Sequence, residues 1–371
     1  MKILYITTIS NTVNFFLPHI NMLLDQGHTV DIACNFVRPI DSKLIERGCR
    51  VFNINFQRSP FKRENYTAYK KLKKLIQDEK YELVHTHTPV ASAITRLVCR
   101  KMKNIKVVYT AHGFHFFKGA PIKNWLIYYL VEKWLSRYTD ILITINREDY
   151  VRAKNSFKAG RVEYIPGVGL DTKKFSEVIV DKLAKRREIG VPEDAFVILS
   201  VGEINKNKNH ETVIKAVAKL NNPNVHYIIC GQGPLENYLR GIAKGLGLEK
   251  QVHLLGYRTD IAEICKASDI FAFPSKREGL GLAALEAMAS GLPIVTSNVH
   301  GIVDYSINGE TGYTCAPTDV DGFAKAIEIL LNDEELRIIM GKHNSEVVKM
   351  FDIDKVKNKL RKIYEEEMLN V

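Results

Sequence analysis

Two glutamates in the C-terminal half of the chain have the side-chain type and spacing of a ligand-binding pair. Glu278 and Glu286 lie eight positions apart in the segment EGLGLAALE. The pattern predicts Glu278 on a glycine-flanked loop and Glu286 two turns into the following helix, a rise of about 11 Å. Glycines at a helix start leave backbone N–H groups free for a phosphate. These features suit a site that holds a nucleotide-sugar at both ends.

The elements that must position these glutamates alternate between short apolar runs and helical patterns. Strands are predicted at 2–7, 29–33, 83–86, 107–111 and 141–144, with helices at 15–26, 66–78, 91–102 and 123–137. The rhythm restarts after 166–169, with strands at 196–201, 225–230, 252–254, 270–272 and 294–296 and helices at 210–220, 235–246, 283–290 and 321–331. Such alternation predicts an α/β protein with two Rossmann-like, doubly wound sheets, whose ligands bind at the carboxyl ends of the strands.

The domain boundaries follow from this rhythm. We expect an N-terminal Rossmann-like domain at 1–168, a C-terminal Rossmann-like domain at 169–350 and a closing helix at 351–371. The closing helix is predicted from apolar residues at near-helical spacing within the charged stretch 354–369.

Composition narrows the class of protein. The 371 residues are 46% hydrophobic and 26% charged, which is normal for a soluble globular protein. The six cysteines lie at no metal-ligand spacing, so we expect free thiols in a reducing compartment. With no signal segment and no apolar run of ~20 residues, the chain is predicted to be cytoplasmic. The net charge of +11 leaves nucleic acid or anionic lipid open as a partner.

Four motifs occur along the two halves of the chain. They are YTAHGFHFFKGAP at 109–121, VGEINKNKN at 201–209, GQGPL at 231–235, and the Glu-x7-Glu segment at 278–286 followed by AMASGLP. With these motifs the chain resembles, over its whole length, a GT-B glycosyltransferase of family 4. The YTAHGFHFFKGAP segment is typical of the exopolysaccharide and capsule branch.

The resemblance implies a fold and an activity. The fold is GT-B, with two Rossmann-like domains facing a cleft and a C-terminal helix that closes back on the N-terminal domain. The activity is that of a retaining, metal-independent hexosyltransferase without a cofactor. The C-terminal domain binds a nucleotide-sugar donor, UDP being preferred to GDP by resemblance only. The N-terminal domain binds the acceptor, often a glycan on undecaprenyl diphosphate.

The resemblance also assigns roles in the glutamate segment. Glu286 is expected to accept both ribose hydroxyls, and Glu278 to hold a sugar hydroxyl or to stabilise positive charge on the ring. The alternatives are an exposed helix glutamate and a helix-start carboxylate that complements the helix dipole. Four backbone N–H groups are candidates for sugar and phosphate contact, those of Gly279, Leu280, Gly281 and Leu282.

A lysine is the candidate for the leaving group. Lys208 follows Gly202 at the distance where the family places its diphosphate-binding lysine, and such a contact contributes ~3 kcal/mol in a dry site. A solvated loop lysine is the alternative. Glu203 stands where the family usually has an arginine, so the second phosphate cation is left open between Lys206 and Arg277.

Other strand ends complete the predicted site. By resemblance, His112 lies near the C6 side of the sugar and the β-phosphate, with a core histidine as the alternative. Gly231 and Gly233 form a flexible turn that resemblance places near the base and ribose, and Tyr257 is a candidate wall of the base pocket. The segment SNT at 10–12 departs from the glycine-rich first loop of many relatives, and none of its residues is assigned.

Two patterns have the letters of metal sites. Asp319-Val320-Asp321 is a DxD sequence, but it opens a helical pattern, so a helix N-cap is the better interpretation. His85 and His87 form a His-x-His pair at a strand end, for which shaping the acceptor side is favoured over binding a metal. No metal site is predicted.

Two segments have the composition of a membrane-contacting surface. The first, YKKLKKL at 69–75, is basic, and a solvated helix face is its alternative. The second, WLIYYLV at 125–131, is aromatic and apolar between Lys123 and Lys133, which suits a headgroup interface. A core helix is its alternative.

The expected reaction moves a hexosyl unit from a UDP-sugar to a hydroxyl of a lipid-linked glycan, with charge stabilised by His112, Glu278 and Lys208. No side chain is an obvious nucleophile, so a same-face displacement is preferred, in which the departing phosphate takes the acceptor's proton. One alternative is a non-transferring GT-B enzyme such as a UDP-sugar 2-epimerase. Another is a basic, non-catalytic protein of a lipid or nucleic-acid surface. The acidic pair argues against nucleic acid, since binding a phosphate backbone needs no carboxylates.

Overall fold

The computed structural model describes residues 1–368, which form two compact units. The first unit contains Met1–Gly169 and the described part of Ile353–Val371, and the second is Leu170–Asp352. Each unit has its own parallel sheet and its own apolar core.

The sheet of the first unit has seven parallel strands in the order β3-β2-β1-β4-β5-β6-β7. They are β1 Lys2–Ile9, β2 Thr29–Asn35, β3 Val51–Asn53, β4 Leu83–His87, β5 Lys106–Ala111, β6 Ile141–Thr144 and β7 Arg161–Tyr164. The five strands predicted from apolar runs are confirmed. The sequence interpretation missed β3 and β7, which form the two edges of this sheet.

Seven helices connect these strands. They are α1 Leu17–Asp25, α2 Ser42–Glu46, α3 Glu64–Glu79, α4 Pro89–Cys99, α5 Ile122–Asn124, α6 Leu130–Leu135 and α7 Arg147–Ser156. The predicted helix at 15–26 begins as a 3-10 turn, Ser10–Phe16, before α1. The predicted helix at 123–137 is irregular, since a π-helical turn, Trp125–Tyr129, joins α5 to α6.

The sheet of the second unit has six parallel strands in the order β10-β9-β8-β11-β12-β13. They are β8 Phe196–Val201, β9 Val225–Cys230, β10 Val252–Gly256, β11 Ile270–Phe273, β12 Ile294–Ser297 and β13 Gly312–Cys315. Eight helices surround it: α8 Thr172–Ser176, α9 Lys182–Glu188, α10 His210–Leu220, α11 Glu236–Gly245, α12 Ile261–Ala267, α13 Leu282–Ala289, α14 Val320–Asn332 and α15 Glu334–Val347. The prediction of two doubly wound sheets is therefore confirmed.

The last helix, α16 Ile353–Met368, packs on α1 and so belongs to the first unit. Its buried residues include Leu360 and Tyr364. The predicted closing helix at 351–371 extends beyond the described residues, and 369–371 lie outside them.

Two further properties concern the environment of the chain. All six cysteines are buried and unpaired. Among residues 1–368, none of the helices has the length and apolar character that crossing a bilayer requires.

Candidate active site

The candidate site of the second unit lies where its strand order reverses. Strands β8 and β11 are neighbours, but the chain continues from β8 to β9 in one direction along the sheet and from β11 to β12 in the other. This reversal is the switch point of the sheet, and it leaves a crevice beyond the carboxyl ends of β8 and β11. The loop 202–209 follows β8 and the loop 274–281 follows β11. Chain order therefore brings two of the predicted motifs to one place.

The two loops meet through an ion pair. Nζ of Lys208 lies 2.8 Å from Oε1 of Glu278, and both side chains are largely withdrawn from solvent. The same ammonium lies 4.7 Å from the centre of the Phe273 ring, at the end of β11. The structure thus places two of the predicted catalytic residues in direct contact, with an aromatic face beside the cation.

Close backbone approach explains the glycines of these loops. A Cβ on Gly202 would lie 2.9 Å from Cε of Lys208. The lysine can therefore lie across this backbone only because residue 202 has no side chain. A Cβ on Gly231 would lie 1.9 Å from the carbonyl oxygen of Gly202, and one on Gly233 would lie 2.3 Å from that of Ile204. The turn at 231–233 therefore supports the loop that carries Lys208.

Asparagines fix the loop 202–209 against its neighbour. Oδ1 of Asn205 accepts hydrogen bonds from the N–H groups of Asn207 and Lys208, each at 2.9 Å. The side chain of Asn207 donates to the carbonyl of Arg277 at 2.9 Å. These bonds hold Lys208 and Glu278 in register without a ligand.

The start of α13 offers free hydrogen-bond donors. Gly281 precedes the helix with a φ of 96°, and a Cβ there would lie 2.6 Å from the ring of Phe273. Nothing within residues 1–368 accepts a hydrogen bond from four successive N–H groups, those of Leu280, Gly281, Leu282 and Ala283. Such unpaired donors at a helix start form an anion-binding site.

The distance between the two glutamates differs from the prediction. Because α13 begins at Leu282, Glu286 is only its fifth residue, a little over one turn from the helix start. The predicted separation of two helical turns is therefore wrong. Half of the spacing is non-helical loop, since Gly281 turns the chain before the helix begins.

Glu286 carries a carboxylate without a protein partner. No group in residues 1–368 donates a hydrogen bond to it. Burial raises its pKa above the ordinary value, and the positive charge of Lys174 opposes this shift. A half-buried acceptor that lacks donors is suited to ligand hydroxyls.

The other residues predicted to bind the nucleotide-sugar donor do not all lie at the Lys208–Glu278 pair. Lys206 lines a pocket of about 440 Å³ with Lys276 and Tyr238, and neither Lys208 nor Glu278 borders that pocket. Arg277 is half-buried beside Glu278 and has no ion-pair partner among the described residues. Tyr257 is exposed just after β10.

The DxD sequence is a helix cap. The carboxylate of Asp319 accepts a hydrogen bond from the N–H of Gly322 at 2.8 Å, at the start of α14, and Asp321 pairs with Lys219. The sequence interpretation is confirmed for this segment. Across residues 1–368, no three histidine, cysteine or acidic side chains are grouped to hold a metal ion.

His112 belongs to a histidine cluster in the first unit. It follows β5, and its Nε2 lies 3.0 Å from Nδ1 of His87, at the end of β4. The ring of Phe16 stacks on His87 with centroids 4.0 Å apart. Burial lowers the pKa of His112 to about 4 and that of His87 well below its ordinary value, so both rings are neutral at pH 7.

The neighbouring histidines are tied to the frame of the first unit. Nδ1 of His85 lies 2.5 Å from the hydroxyl of Tyr364 on α16, and its Nε2 lies 2.8 Å from the hydroxyl of Thr110. Nε2 of His19 lies 2.8 Å from the carbonyl of Val168, where it donates as a neutral ring. The His-x-His pair is thus a buried element of packing and hydrogen bonding.

The aromatic segment of the first unit has two faces. Trp125 and Tyr129 pack against a buried cluster that includes Phe116, as the core-helix alternative expects. The other face exposes large apolar side chains, namely Ile122, Leu126, Ile127, Leu130, Val131 and Trp134. A core helix therefore accounts for only one side of this segment.

Several residues of the site were missed from the sequence. Phe273 lies against Lys208, and the hydroxyl of Tyr305 lies buried near Gly281 without a hydrogen-bond partner among the described residues. Gly301 approaches the carbonyl of Gly279 so closely that a Cβ would lie 1.9 Å from it. None of these three residues was singled out by a motif in the sequence.

Known proteins similar to this chain identify its family. Residues 2–146 match the family described as Glycosyl transferase 4-like, and residues 181–347 match Glycosyl transferases group 1. The putative glycosyltransferase EpsD of Bacillus subtilis (strain 168) is 37% identical, with 98% of this chain and 96% of that protein covered.

Two further proteins extend the comparison. The UDP-Gal:alpha-D-GlcNAc-diphosphoundecaprenol alpha-1,3-galactosyltransferase of Escherichia coli is 29% identical, with 95% of this chain and 93% of that protein covered. The crystal structure of Anabaena HepE in complex with UDP and glucose has a TM-score of 0.81 at 19% identity, covering 99% of this chain and 100% of that one. This chain belongs to the GT4-like glycosyltransferases with the GT-B fold.

Proposed function

We propose that this glycosyltransferase moves a hexosyl unit from a UDP-sugar to a hydroxyl of a lipid-linked glycan, with retention, in exopolysaccharide or capsule synthesis. The observation that carries the proposal is the Lys208–Glu278 contact beside free N–H groups at the switch point of the second sheet. A diphosphate requires fixed positive charge and N–H donors, and a sugar requires acceptors for its hydroxyls. Both requirements are met on two adjacent loops.

On the donor side, Lys208 neutralises the diphosphate while it keeps its contact with Oε1 of Glu278. The other carboxylate oxygen of Glu278 accepts hydrogen bonds from sugar hydroxyls. Arg277 is the better second cation, because Lys206 lines a different pocket. The ribose hydroxyls supply the donors that the carboxylate of Glu286 lacks. The choice of UDP is supported by the structural neighbour HepE, which was crystallised with UDP and glucose.

For the chemical step, the acceptor oxygen attacks the anomeric carbon on the face from which the diphosphate departs. The departing phosphate oxygen accepts the acceptor's proton, so no side chain has to act as the base. Glu278 is poorly suited to be a nucleophile, since the ammonium of Lys208 lies against its carboxylate. His112 contributes a hydrogen bond to the sugar. Lysine and backbone N–H groups supply the positive charge, and we therefore propose transfer without a metal or a cofactor.

On the acceptor side, the lipid-linked glycan is supported by the galactosyltransferase relative, whose name specifies a diphosphoundecaprenol substrate. The exposed apolar face at 122–134, with Lys118, Lys123 and Lys133 around it, supports peripheral contact with an anionic membrane. We accordingly propose a cytoplasmic enzyme that works at the inner face of the plasma membrane.

A thermal-shift screen with UDP-, GDP- and ADP-sugars tests the donor. A ligand that binds only the folded state raises the melting temperature according to its affinity, so UDP-sugars should give the largest shift. The stabilising sugar is then incubated with a lipid-linked acceptor, and mass spectrometry with NMR identifies the product and its anomeric configuration. An inverted product contradicts the proposed retention. A UDP-sugar isomerised without acceptor indicates an epimerase instead.

A further inference from the structure

The first unit contains a basic pocket to which no role has been given above. The pocket has a volume of about 570 Å³ and opens where β1, β2 and β3 end. Its lining residues are Ile9, Asn11, Asn35, Val37, Phe56, Gln57, Arg58, Ser59 and Lys62. Because the carboxyl ends of parallel strands are where ligands bind in doubly wound sheets, this is a position for substrate.

The walls of the pocket are fixed by side chains that bond to backbone. Buried Asn65 accepts a hydrogen bond from the N–H of Gln57 at 2.9 Å and donates to the carbonyl of Ser59 at 2.9 Å, which pins the loop carrying Arg58. On the opposite wall, the hydroxyl of Ser10 accepts from the N–H groups of Val37 and Arg38. The pocket is therefore formed before any ligand arrives.

The charge on this pocket is uncompensated. Arg58 and Lys62 line it, and Arg38 and Arg63 neighbour its lining residues in sequence. None of these four cations forms an ion pair with a residue in the described part of the chain. Two unpaired cations on the wall of one pocket, Arg58 and Lys62, are suited to phosphate oxygens.

Exposed apolar side chains lie within or next to the lining segments of the pocket in sequence. Phe61 lies between two of the cations in sequence and is 90% exposed, and Phe36 and Val37 are about half exposed. Burying an exposed phenylalanine removes apolar surface from water, so an uncovered ring next to a basic pocket indicates an apolar contact in the functional state. The cations and these apolar side chains together match an anion joined to a hydrocarbon chain.

We propose that this pocket binds the diphosphate of a polyprenyl-diphosphate-linked acceptor through Arg58 and Lys62, with the first isoprene units against Phe61. This inference rests on the proposed function, which requires a lipid-linked acceptor, and it names the residues that recognise that acceptor. Recognition through the diphosphate and the lipid leaves the glycan end free to meet the donor sugar.

Calorimetric titration of the full chain with farnesyl diphosphate tests the pocket, with saturating UDP present so that donor-site binding is excluded. The double variant Arg58→Gln/Lys62→Gln should bind farnesyl diphosphate about tenfold or more weakly, since two charge-assisted contacts are lost. Phe61→Ser should weaken farnesyl diphosphate about threefold to tenfold and leave inorganic pyrophosphate unchanged.

Two control variants test whether the loss of any exposed cation or any exposed apolar side chain has the same effect on binding. Lys71→Gln removes an exposed cation of α3 that does not line the pocket, and Ile179→Ser removes an apolar side chain that is 97% exposed. Both variants should bind farnesyl diphosphate as the unchanged protein does. A UDP thermal shift retained in every variant shows that the second unit is intact.

Three results would overturn the inference. The first is an unchanged protein that does not bind farnesyl diphosphate, and the second is a double variant that binds it normally. The third is pyrophosphate that binds as tightly as farnesyl diphosphate, which makes the pocket a simple phosphate site. If UDP fails to stabilise the unchanged protein, the donor assignment fails, while these binding results still decide the pocket.

Discussion

Nδ1 of His87 and Nε2 of His112 lie 3.0 Å apart in the first unit. Because burial keeps both rings neutral at pH 7, a single hydrogen lies between these two nitrogens. If His112 donated it, His87 would carry its own hydrogen on Nε2. That nitrogen is buried and has no hydrogen-bond partner among residues 1–368. Buried N–H groups without an acceptor are rarer in proteins than buried acceptors without a donor, so we expect His87 to be the donor in this pair.

The first prediction concerns the tautomer of His112. With His87 donating to its Nε2, His112 carries its hydrogen on Nδ1 and can donate it to a substrate oxygen. Nitrogen-15 spectra of histidine-labelled protein at pH 7 should show a protonated Nδ1 and an unprotonated Nε2 for His112. His87→Phe should release this preference and mix the two tautomers. Protonation at Nε2 in the unchanged protein would contradict the pairing.

The second prediction concerns Lys208. Lys208→Ala removes the cation from the leaving group, and transfer should fall about 10²- to 10³-fold, as for other lost contacts to developing charge. Turnover with the donor identified by thermal shift is the measurement. Lys325→Ala is the matched control, because Lys325 is exposed in the same unit and has no ion pair with a described residue. Full activity in Lys208→Ala would remove this lysine from the mechanism.

A substitution at Gly202 tests the position of Lys208 without changing the lysine itself. A Cβ at 202 would lie 2.9 Å from Cε of Lys208, so Gly202→Ala should displace the ammonium and reduce the stabilisation by UDP. Gly241→Ala is the control, because its Cβ meets nothing within 4 Å and alanine favours the surrounding helix α11. Equal UDP-induced shifts in both variants would show that Gly202 does not position Lys208.

The third prediction links Glu286 to stability and pH. Its pKa is raised in the folded state, so the protonated form is favoured there, and stability is lost as pH rises through that pKa. Glu286→Gln should therefore melt ~2 °C higher than the unchanged protein at pH 7 without ligand. The difference should shrink toward pH 4, and the variant should gain less stability from UDP. A variant that is less stable at pH 7 would indicate that the carboxylate has a partner.

The strands predicted from sequence are mainly those that are buried along nearly their whole length. Central strands such as β8 and β9 are continuous apolar runs, because helices cover both faces of a parallel sheet. The missed strands β3, β7 and β13 all lie at sheet edges. Strand β7, RVEY, is only half-buried at every position. Edge strands need less apolar sequence, so their pattern resembles that of a loop.

The candidate site also contains residues that could be assigned from sequence and residues that could not. Lys208 and Glu278 are both assigned to the donor site by resemblance, and the structure adds that they form an ion pair because β8 and β11 are neighbours at the switch point. The predicted distance of Glu286 from Glu278 is wrong because it counts all eight positions as helix, although the residues up to the left-handed turn at Gly281 are loop. Phe273 and Tyr305 reach the site through tertiary packing. Their positions depend on side-chain directions that a single sequence does not specify.

The last prediction concerns the exposed apolar face of the π-helical segment. Leu126 and Leu130 are 65% and 55% exposed, and burying both in a membrane interface should contribute roughly 2 kcal/mol. Leu126→Ser/Leu130→Ser should therefore lower co-sedimentation with phosphatidylglycerol vesicles about tenfold or more. Binding should be weaker to phosphatidylcholine and should fall with salt, because Lys123 and Lys133 are attracted to anionic headgroups. Ile338→Ser/Ile339→Ser, equally exposed in the second unit, is the control, and equal losses in both double variants would argue against a specific membrane face.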